Sequence, residues 1–231
     1  MTKQHALSIF GRGIEQVAIN SHYVWRPTRY IEERSEGTGH SGVRTVGLDP
    51  NSNQAVIAGA NANVLAAAAF YEQEHPQVVI FAAGRPAYIA NNPDRTLSEG
   101  KVLKESFLRI TKPLVKTEFI VQEQNRNTQE DLYQSLFLAI DRGMYSMTII
   151  TIELHLPRIK TFYNLACLKY PKIQTLPAVF KSAEEILIKR HRYYKNLFYT
   201  VRLTEAWKRT LAQEQQGISD LKNGIYRNLL D

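Results

Sequence analysis

The chain has 231 residues, of which 44% are hydrophobic, and its formal charge at pH 7 is +7. A chain of this length and composition can bury the core of one domain with elaborations, which excludes a generally disordered protein. No apolar run reaches the roughly 18 to 20 residues of a membrane-spanning helix, and residues 1–20 lack the apolar segment of a signal peptide. We therefore expect a cytoplasmic protein that does not engage a membrane.

The single cysteine, Cys167, excludes a disulfide within the chain. It lies in the apolar run Phe162–Leu168, which predicts a buried and unreactive thiol.

The first 50 residues are the least regular part of the sequence. Ala6–Ala18 is compatible with a helix, whereas Tyr30–Gly47 is polar, contains three glycines between Gly37 and Gly42, and predicts a loop. We interpret residues 1–50 as an extension that packs on a core beginning near residue 51.

Residues 51–179 alternate between short apolar runs and longer stretches with helical spacing of apolar residues. A turn of polar or glycine residues follows most of the apolar runs, which predicts strands. The predicted strands are Gln54–Gly59, Gln77–Ala83, Glu118–Gln122, Ser146–Ile152 and Lys172–Leu176, the last of which Pro177 ends. The predicted helices between them are Asn61–Glu74, Leu97–Ile110, Thr128–Arg142 and Leu156–Leu168.

Strands that are short and continuously apolar are covered on both faces, which is typical of a parallel sheet between two layers of helices. The alternation of strands and helices therefore predicts an α/β fold with a mainly parallel sheet of about five strands. Residues 51–179 form the predicted core domain. Residues 180–231 form a predicted helical extension, with one or two helices over Ser182–Ala212.

Polar and charged residues follow four successive predicted strands. In a parallel sheet the strand ends meet at one edge, and ligands bind beyond the carboxyl ends of the strands. The sequence therefore predicts a ligand pocket between about Gly59 and Arg158. The candidate ligand-binding residues are Gly59, Asn61, Gly84, Arg85, Ser98, Glu99, Arg126, Asn127, Thr128, Thr151 and Arg158.

The residue types at this edge indicate recognition of an anion. Arg85, Arg126 and Arg158 can each donate two parallel hydrogen bonds to a phosphate or carboxylate. Glu123 and His155 are the candidate catalytic residues, as acid–base groups. The sequence contains no closed set of metal ligands, and it lacks the glycine-rich dinucleotide motif, the P-loop motif and the Gly-x-Ser-x-Gly motif. We therefore expect no structural zinc and none of the chemistries that these motifs serve.

Two of these segments have a structural interpretation beside the functional one. Asn127 can cap a helix with Glu130 as its capping-box partner, or the N–H groups of that helix start can hold an anion together with Arg126. Ser98 can likewise cap a helix whose dipole favours Glu99 in the first turn. Both interpretations stay open at this point.

Five short segments, in this order, resemble the YdcF/SanA-like family, also called domain of unknown function 218. They are Val56-Ile-Ala-Gly59, Phe81-Ala-Ala-Gly84, Ser98-Glu99-Gly100, Glu123-Gln-Asn125-Arg-Asn127-Thr128-Gln-Glu130-Asp131 and Ile150-Thr151-Ile-Glu153-Leu-His155-Leu-Pro-Arg158. The resemblance covers about Gln54–Leu168, roughly half of the chain. Gly100, Asn125, Asp131 and Glu153 depart from the family's pattern, which has Ala, Ser, Asn and commonly Ser there, and the first turn is poorer in glycine.

The resemblance implies a Rossmann-like fold with a polar pocket. It also implies a nucleotide-like ligand, such as S-adenosylmethionine, or a phosphorylated small molecule. It does not supply a reaction, and the leading interpretation is therefore a small-molecule enzyme or nucleotide-ligand binder. The first alternative is a phosphoester or pyrophosphate hydrolase that binds a divalent ion through carboxylates such as Glu99 and Glu123.

A second alternative is a nucleic-acid-binding module at the basic C-terminal end. Residues 181–210 hold eight Lys and Arg against three Asp and Glu. Basic residues lie there among Tyr193, Tyr194, Phe198 and Tyr199, a mixture suited to phosphate contact and base stacking. We favour a solvated basic face whose aromatic residues pack on the sheet, so nucleic acid is not the expected partner. The sequence does not determine an oligomeric state.

Overall fold

The structure is a computed structural model that describes residues 4–20, 22–33, 49–85, 89, 94 and 96–224. Residues 34–47 of the predicted loop, which include its three glycines, lie outside the described residues. Pro86 also lies outside them.

The described strands and helices follow one another along the chain with short connections. The strands are β1 (His5–Phe10), β2 (Ile14–Ile19), β3 (His22–Pro27), β4 (Ile31–Glu33), β5 (Ala55–Ile57), β6 (Val78–Ala82), β7 (Glu118–Val121), β8 (Ser146–Thr151) and β9 (Ala178–Ser182). The helices are α1 (Ala60–Glu74), α2 (Glu99–Ile110), α3 (Thr128–Asp141), α4 (Leu156–Lys169), α5 (Ala183–Arg190), α6 (Arg192–Arg202) and α7 (Glu205–Lys222). Short 3₁₀ helices span Glu153–His155 and Pro171–Thr175.

The centre of the molecule is a five-stranded sheet with the order β7-β6-β1-β8-β9, in which every neighbouring pair is parallel. Alternate residues of β1 point into two separate apolar cores. Leu7 and Ile9 pack with α1, α2 and α5, whereas Ala6 and Phe10 pack with α3 and α4. Helices therefore cover both faces, and the chain has the predicted Rossmann-like three-layer α/β fold.

The central strand comes from the segment that we predicted to be a helix. Residues 5–10 form β1 and residues 14–19 form β2, so the helix over Ala6–Ala18 is wrong. The apolar residues of β1 are buried on both sides of the sheet, and such a run cannot be distinguished from a buried helix by periodicity alone. Residues 5–10 are thus an integral part of the main sheet, whereas β2, β3 and β4 lie in two separate two-stranded sheets.

Two other predicted strands have a different place in the fold. Within Gln54–Gly59, only β5 is a strand, and it pairs antiparallel with β4 in a separate two-stranded sheet. Lys172–Leu176 lies mostly in a 3₁₀ helix, and the fifth strand of the main sheet is β9, which begins directly after Pro177. Pro177 has no N–H to donate, but its carbonyl oxygen accepts a hydrogen bond from the N–H of Met147 at 3.0 Å, so it leads into β9 and does not end a strand.

The C-terminal part is helical, but residues 183–222 hold three helices where one or two were predicted, and residues 180–182 belong to β9 of the main sheet. Helix α7 packs against β5 and α4. Thr210 of α7 accepts a hydrogen bond from the N–H of Ile57 through its Oγ1, at 2.8 Å. Cys167 on α4 is half-buried, so the prediction of a buried thiol was too strong. Along the part of the chain that the structure describes, no helix combines the length and the apolar character needed to cross a bilayer.

The central position of β1 leads to a prediction about stability. Ile9 is completely buried, and Ile9→Ala should lower the free energy of unfolding by about 2–5 kcal/mol, because the apolar contacts are lost and a cavity remains. Ile19 lies at the end of β2 and is 51% exposed, so Ile19→Ala should change the free energy of unfolding by no more than about 0.5 kcal/mol. Urea unfolding of both variants measures the difference, and equal effects would contradict the placement of β1.

Candidate functional site

A pocket of about 190 Å³ lies at the edge where the strands of the main sheet end. Its walls are the segments that follow β1, β6, β7 and β8, together with the first turns of α2, α3 and α4. Of the predicted residues, the structure places Gly84, Glu99, Arg126, Asn127, Thr128, His155 and Arg158 on its walls.

Two glycines allow the segments around the pocket to approach one another. A Cβ on Gly11 would overlap the side chains of Ala83 and Glu99. A Cβ on Gly84 would overlap the backbone of Asn125. The N–H of Arg85 donates a hydrogen bond to the carbonyl oxygen of Asn125 at 3.2 Å. The ends of β1, β6 and β7 can therefore meet at van der Waals distance only because these positions carry no side chain.

The start of α2 places a carboxylate on the pocket wall. Ser98 caps the helix by accepting a hydrogen bond from the N–H of Lys101 at 3.2 Å. Glu99 follows in the first turn, and its carboxylate accepts a hydrogen bond from the backbone N–H of Gly13. Glu99 is only 7% exposed, so its side chain joins α2 to the segment after β1.

The start of α3 forms the opposite wall and has the predicted cap. The side chain of Asn127 accepts a hydrogen bond from the N–H of Glu130 at 3.0 Å. The carboxylate of Glu130 accepts one from the N–H of Arg126 at 2.8 Å, so both groups are used in the helix start. The guanidinium of Arg126 is exposed and forms no ion pair with the described residues, so it is available at the mouth of the pocket.

Beside the pocket, Glu214 of α7 forms ion pairs with two arginines. Its Oε1 accepts a hydrogen bond from Nη1 of Arg12 at 2.8 Å, and its Oε2 lies 3.2 Å from Nε of Arg158. Arg12 also donates to the carbonyl oxygens of Ile57 and Ala58, at 3.3 Å each. Since the side chain of Glu214 is only 6% exposed, these contacts tie the C-terminal helix to the segment after β1 and to the start of α4.

Glu214 also orients the imidazole of His155, whose Nδ1 lies 3.0 Å from Oε2 of Glu214. Burial alone would raise the pKa of Glu214, but the imidazole and the guanidinium groups of Arg12 and Arg158 outweigh burial and hold that pKa well below its ordinary value. Nη1 of Arg12 also lies 3.3 Å from Nδ1, but the contact with Glu214 is shorter, and an ionised carboxylate can only accept hydrogen bonds. We therefore assign the proton to Nδ1 of His155 and the lone pair to Nε2.

The imidazole of His155 is neutral at pH 7. Burial lowers the pKa of His155 to about 4, Glu214 opposes this change, and the charges of Arg12 and Arg158 add to it. The pocket thus has a neutral nitrogen base on its wall.

Asp131 of α3 is held in the opposite state. Its Oδ1 accepts a hydrogen bond from Nδ2 of Asn125 at 3.0 Å, and the same Nδ2 donates to Gln122 at 2.7 Å. Burial raises the pKa of Asp131 to about 8, and the negative charges of Glu99 and Glu130 add to this change, which the bond from Asn125 only partly offsets. Asp131 is therefore a neutral carboxylic acid at pH 7 on the wall of the pocket.

The other candidate catalytic residue, Glu123, does not line the pocket. Its carboxylate lies 3.0 Å from Nζ of Lys101, and its side chain is 49% exposed. Arg85 is also used elsewhere, because its guanidinium donates to the carbonyl oxygens of Ile89, Asp94 and Leu97. That arginine holds the connection between β6 and α2 in place.

Four further candidates lie outside the pocket. Ser98 has its capping role. Gly59 begins α1 with a φ of 83°, and Asn61 is exposed on that helix. Both follow β5, which is not part of the main sheet, and neither lines the pocket, although Gly59 lies against Ile152, the residue after β8. Thr151 is fully buried as the last residue of β8.

The sequence analysis missed several residues of this site. They are Gly11, Arg12, Gly13, Ala83, Asn125 and Asp131 on the pocket wall, and Glu214 beside it. The apolar run of β1 followed by Gly11-Arg12-Gly13 repeats the signal used for the other strands, and it could have been found. Glu214 has no such signal, because it is one glutamate among the polar residues of a helix far along the chain.

Comparison with known proteins assigns no family to this chain, since no protein-family model, curated protein or solved structure matches it. The resemblance to the YdcF/SanA-like family stays a prediction.

The role of Glu214 leads to a second prediction. Glu214→Gln should lower the free energy of unfolding by about 3 kcal/mol, because two partly buried guanidinium groups lose the buried carboxylate that neutralises them. Glu205 on the same helix forms an exposed pair with Lys208 at 2.7 Å, and Glu205→Gln should cost no more than about 1 kcal/mol. Denaturant unfolding compares the two variants, and similar losses would contradict the role of Glu214.

The state of His155 leads to a third prediction. At pH 6 an ordinary histidine is mostly protonated, whereas His155 should be neutral with the proton on Nδ1. Nitrogen-15 NMR of the imidazole, assigned with His155→Gln, measures this state directly. In the Glu214→Gln variant the pKa of His155 should fall further, because the carboxylate that raises this pKa is gone. A midpoint near 6.5 in the wild-type protein would contradict the prediction.

Proposed function

We propose that the chain binds a phosphorylated or nucleotide-like small molecule in this pocket, as an enzyme that acts on that molecule. The observation that carries the proposal is the available guanidinium of Arg126, which lines the pocket at the N-terminus of α3. A helix N-terminus and an arginine together favour a bound anion, because N–H dipoles and a positive charge converge on it. Thr128 and Arg158 on the same wall add further donors.

The charges around the pocket support an anionic ligand. Arg12, Arg126 and Arg158 are positive, and the carboxylates of Glu99 on the wall and Glu214 beside it offset two of these charges, which leaves one positive charge in excess. Asp131 is neutral at pH 7 and does not repel an anion. A phosphate or carboxylate group of the ligand can therefore enter the pocket without electrostatic repulsion from Asp131.

The size of the pocket limits the part of the ligand that is enclosed. A volume of about 190 Å³ is smaller than the usual volume of a pocket that encloses a whole small-molecule ligand. We infer that the pocket encloses the anionic group and the atoms next to it, and that the rest of a nucleotide or of S-adenosylmethionine lies at its mouth. His155, with a lone pair on Nε2, is the acid–base group of this proposal.

The location of the predicted motifs agrees with this proposal. Four of the five segments that resemble the YdcF/SanA-like family contribute residues to the pocket, namely those at residues 81–84, 98–100, 123–131 and 150–158. The first segment, at residues 56–59, contributes no side chain to the wall.

A hydrolase that uses a divalent ion is the second candidate function. It has less support, because only Glu99 of the two predicted carboxylate ligands lines the pocket, and no group of three or more His, Cys, Asp and Glu side chains among the described residues could hold a metal ion. Glu123, the partner that we predicted for Glu99, does not line the pocket. Loss of activity on addition of a chelator distinguishes this candidate from the first.

The nucleic-acid alternative has less support. Of the four aromatic residues near the basic C-terminal segment, Phe198 is buried and Tyr194 is stacked on it with a ring separation of 5.9 Å. Only Tyr193 and Tyr199 are largely exposed. The segment thus uses part of its aromatic surface in the core, as in the interpretation that we favour.

The fourth prediction tests ligand binding. Titration calorimetry with AMP, inorganic phosphate and S-adenosylmethionine should detect binding of at least one of them. Arg126→Ala should weaken that binding by about 10-fold or more, because a charged hydrogen bond is lost. Arg109→Ala removes the same charge from the exposed end of α2 and should leave the affinity unchanged within about 2-fold. An unchanged affinity in Arg126→Ala, or no binding of any probe, would contradict the proposal.

A further inference from the structure

We propose that Asp131 is the proton donor of this pocket and that Asp131 and His155 together hydrolyse a phosphoester. His155 accepts a proton from the attacking water, and Asp131 gives a proton to the leaving oxygen. This inference rests on the proposed function, because it assumes that the phosphate group enters the same pocket.

The placement of Asp131 supports this role. It lies on the fourth residue of α3, next to the helix start that the phosphate would approach, and it lines the pocket. One of its oxygens, Oδ1, accepts the hydrogen bond from Nδ2 of Asn125, and that bond fixes the rotation of the carboxyl group. Oδ2 then remains as the oxygen that can carry a proton.

The other carboxyl groups near the pocket are used for structural contacts. Glu99 accepts the N–H of Gly13, and Glu130 accepts the N–H of Arg126 and a side-chain N–H of Asn127. Asp131 is the carboxyl group on the wall whose surroundings favour the neutral form.

Asp131 and His155 have complementary protonation states at pH 7. Asp131 is half-buried, but its carboxyl group is desolvated and faces the negative charges of Glu99 and Glu130, so it keeps its proton. The imidazole lacks a proton because it is buried beside Arg12 and Arg158. Two titratable groups whose pKa values are moved apart in this way are the pattern of an acid–base pair.

The step balances in atoms and protons. A lone pair of water attacks phosphorus, and Nε2 of His155 takes the proton that the water loses. The bond from phosphorus to the leaving oxygen breaks, and that oxygen takes the proton of Asp131. The products are an alcohol and inorganic phosphate, with His155 protonated and Asp131 ionised, and a proton passing from one to the other through solvent restores the starting state. Arg126 and Arg158 neutralise the charge on the phosphoryl oxygens.

The test compares two substrates that differ in their need for a proton donor. p-Nitrophenolate leaves without a proton at neutral pH, whereas the alkoxide of glycerol 2-phosphate requires one. Asp131→Asn keeps the size and the hydrogen-bonding surface of the side chain but cannot donate the proton. Its kcat should fall about 100-fold on glycerol 2-phosphate and no more than about 10-fold on p-nitrophenyl phosphate.

Asp141→Asn is the matched control, because Asp141 is the exposed last residue of the same helix and should leave both rates unchanged. Equal losses on both substrates in Asp131→Asn would overturn the proposal, as would the absence of hydrolysis by the wild-type protein. Phosphate binding measured by calorimetry keeps the two failures distinct: binding without hydrolysis overturns this inference alone, and absence of binding overturns the proposed function as well.

The wild-type protein provides a test that does not depend on the folding of a variant. With glycerol 2-phosphate, kcat should fall above a pH of about 8, as Asp131 loses its proton, while the rate with p-nitrophenyl phosphate should not show this decline. Activity should also persist in EDTA. A requirement for magnesium would contradict the role of Asp131, because a bound divalent ion would hold its carboxyl group ionised.

Discussion

Glu214 carries a negative charge into the interior of the protein, between α7 and the edge of the sheet. A buried carboxylate is stable only where opposite charges and hydrogen bonds replace its hydration. Arg12 and Arg158 supply the charges, and His155 supplies a hydrogen bond. These partners come from the segments after β1 and β8, so one interaction joins the N-terminal strand, the middle of the sheet and the C-terminal helix.

The same interaction determines the chemistry that His155 can perform. The carboxylate of Glu214 fixes the proton on Nδ1, while burial and the two arginines keep the imidazole neutral. Across the same pocket, burial and neighbouring carboxylates keep Asp131 protonated. At about pH 6 each group is in the state opposite to the one it would adopt in water, because the protein replaces the water around it with a fixed arrangement of charges.

The topology of the sheet explains why the pocket forms where it does. β1 lies at the centre, between β6 and β8, and all its neighbours run in the same direction. The segments after the central strands therefore leave the same edge side by side. Gly11 and Gly84 let these segments touch, and the first turns of α2 and α3 close the space between them. A charged side chain on one of these segments therefore lies near the charged side chains of the others.

The sequence by itself determined the fold class, the covered parallel sheet and a group of polar residues at its carboxyl edge. These features follow from local patterns: continuous apolar strands, helical spacing, and caps such as Asn127 with Glu130. Periodicity alone could not identify β1, because a short run buried on both faces has no periodicity that separates a strand from a helix, and only the turn Gly11-Arg12-Gly13 marked its end. Only the tertiary structure decided that Glu123 points to Lys101 at the surface and that Glu214, 59 residues from His155, completes the site. The reason is physical: the direction of a side chain and its pKa depend on burial and on charges from distant segments, which no local pattern contains.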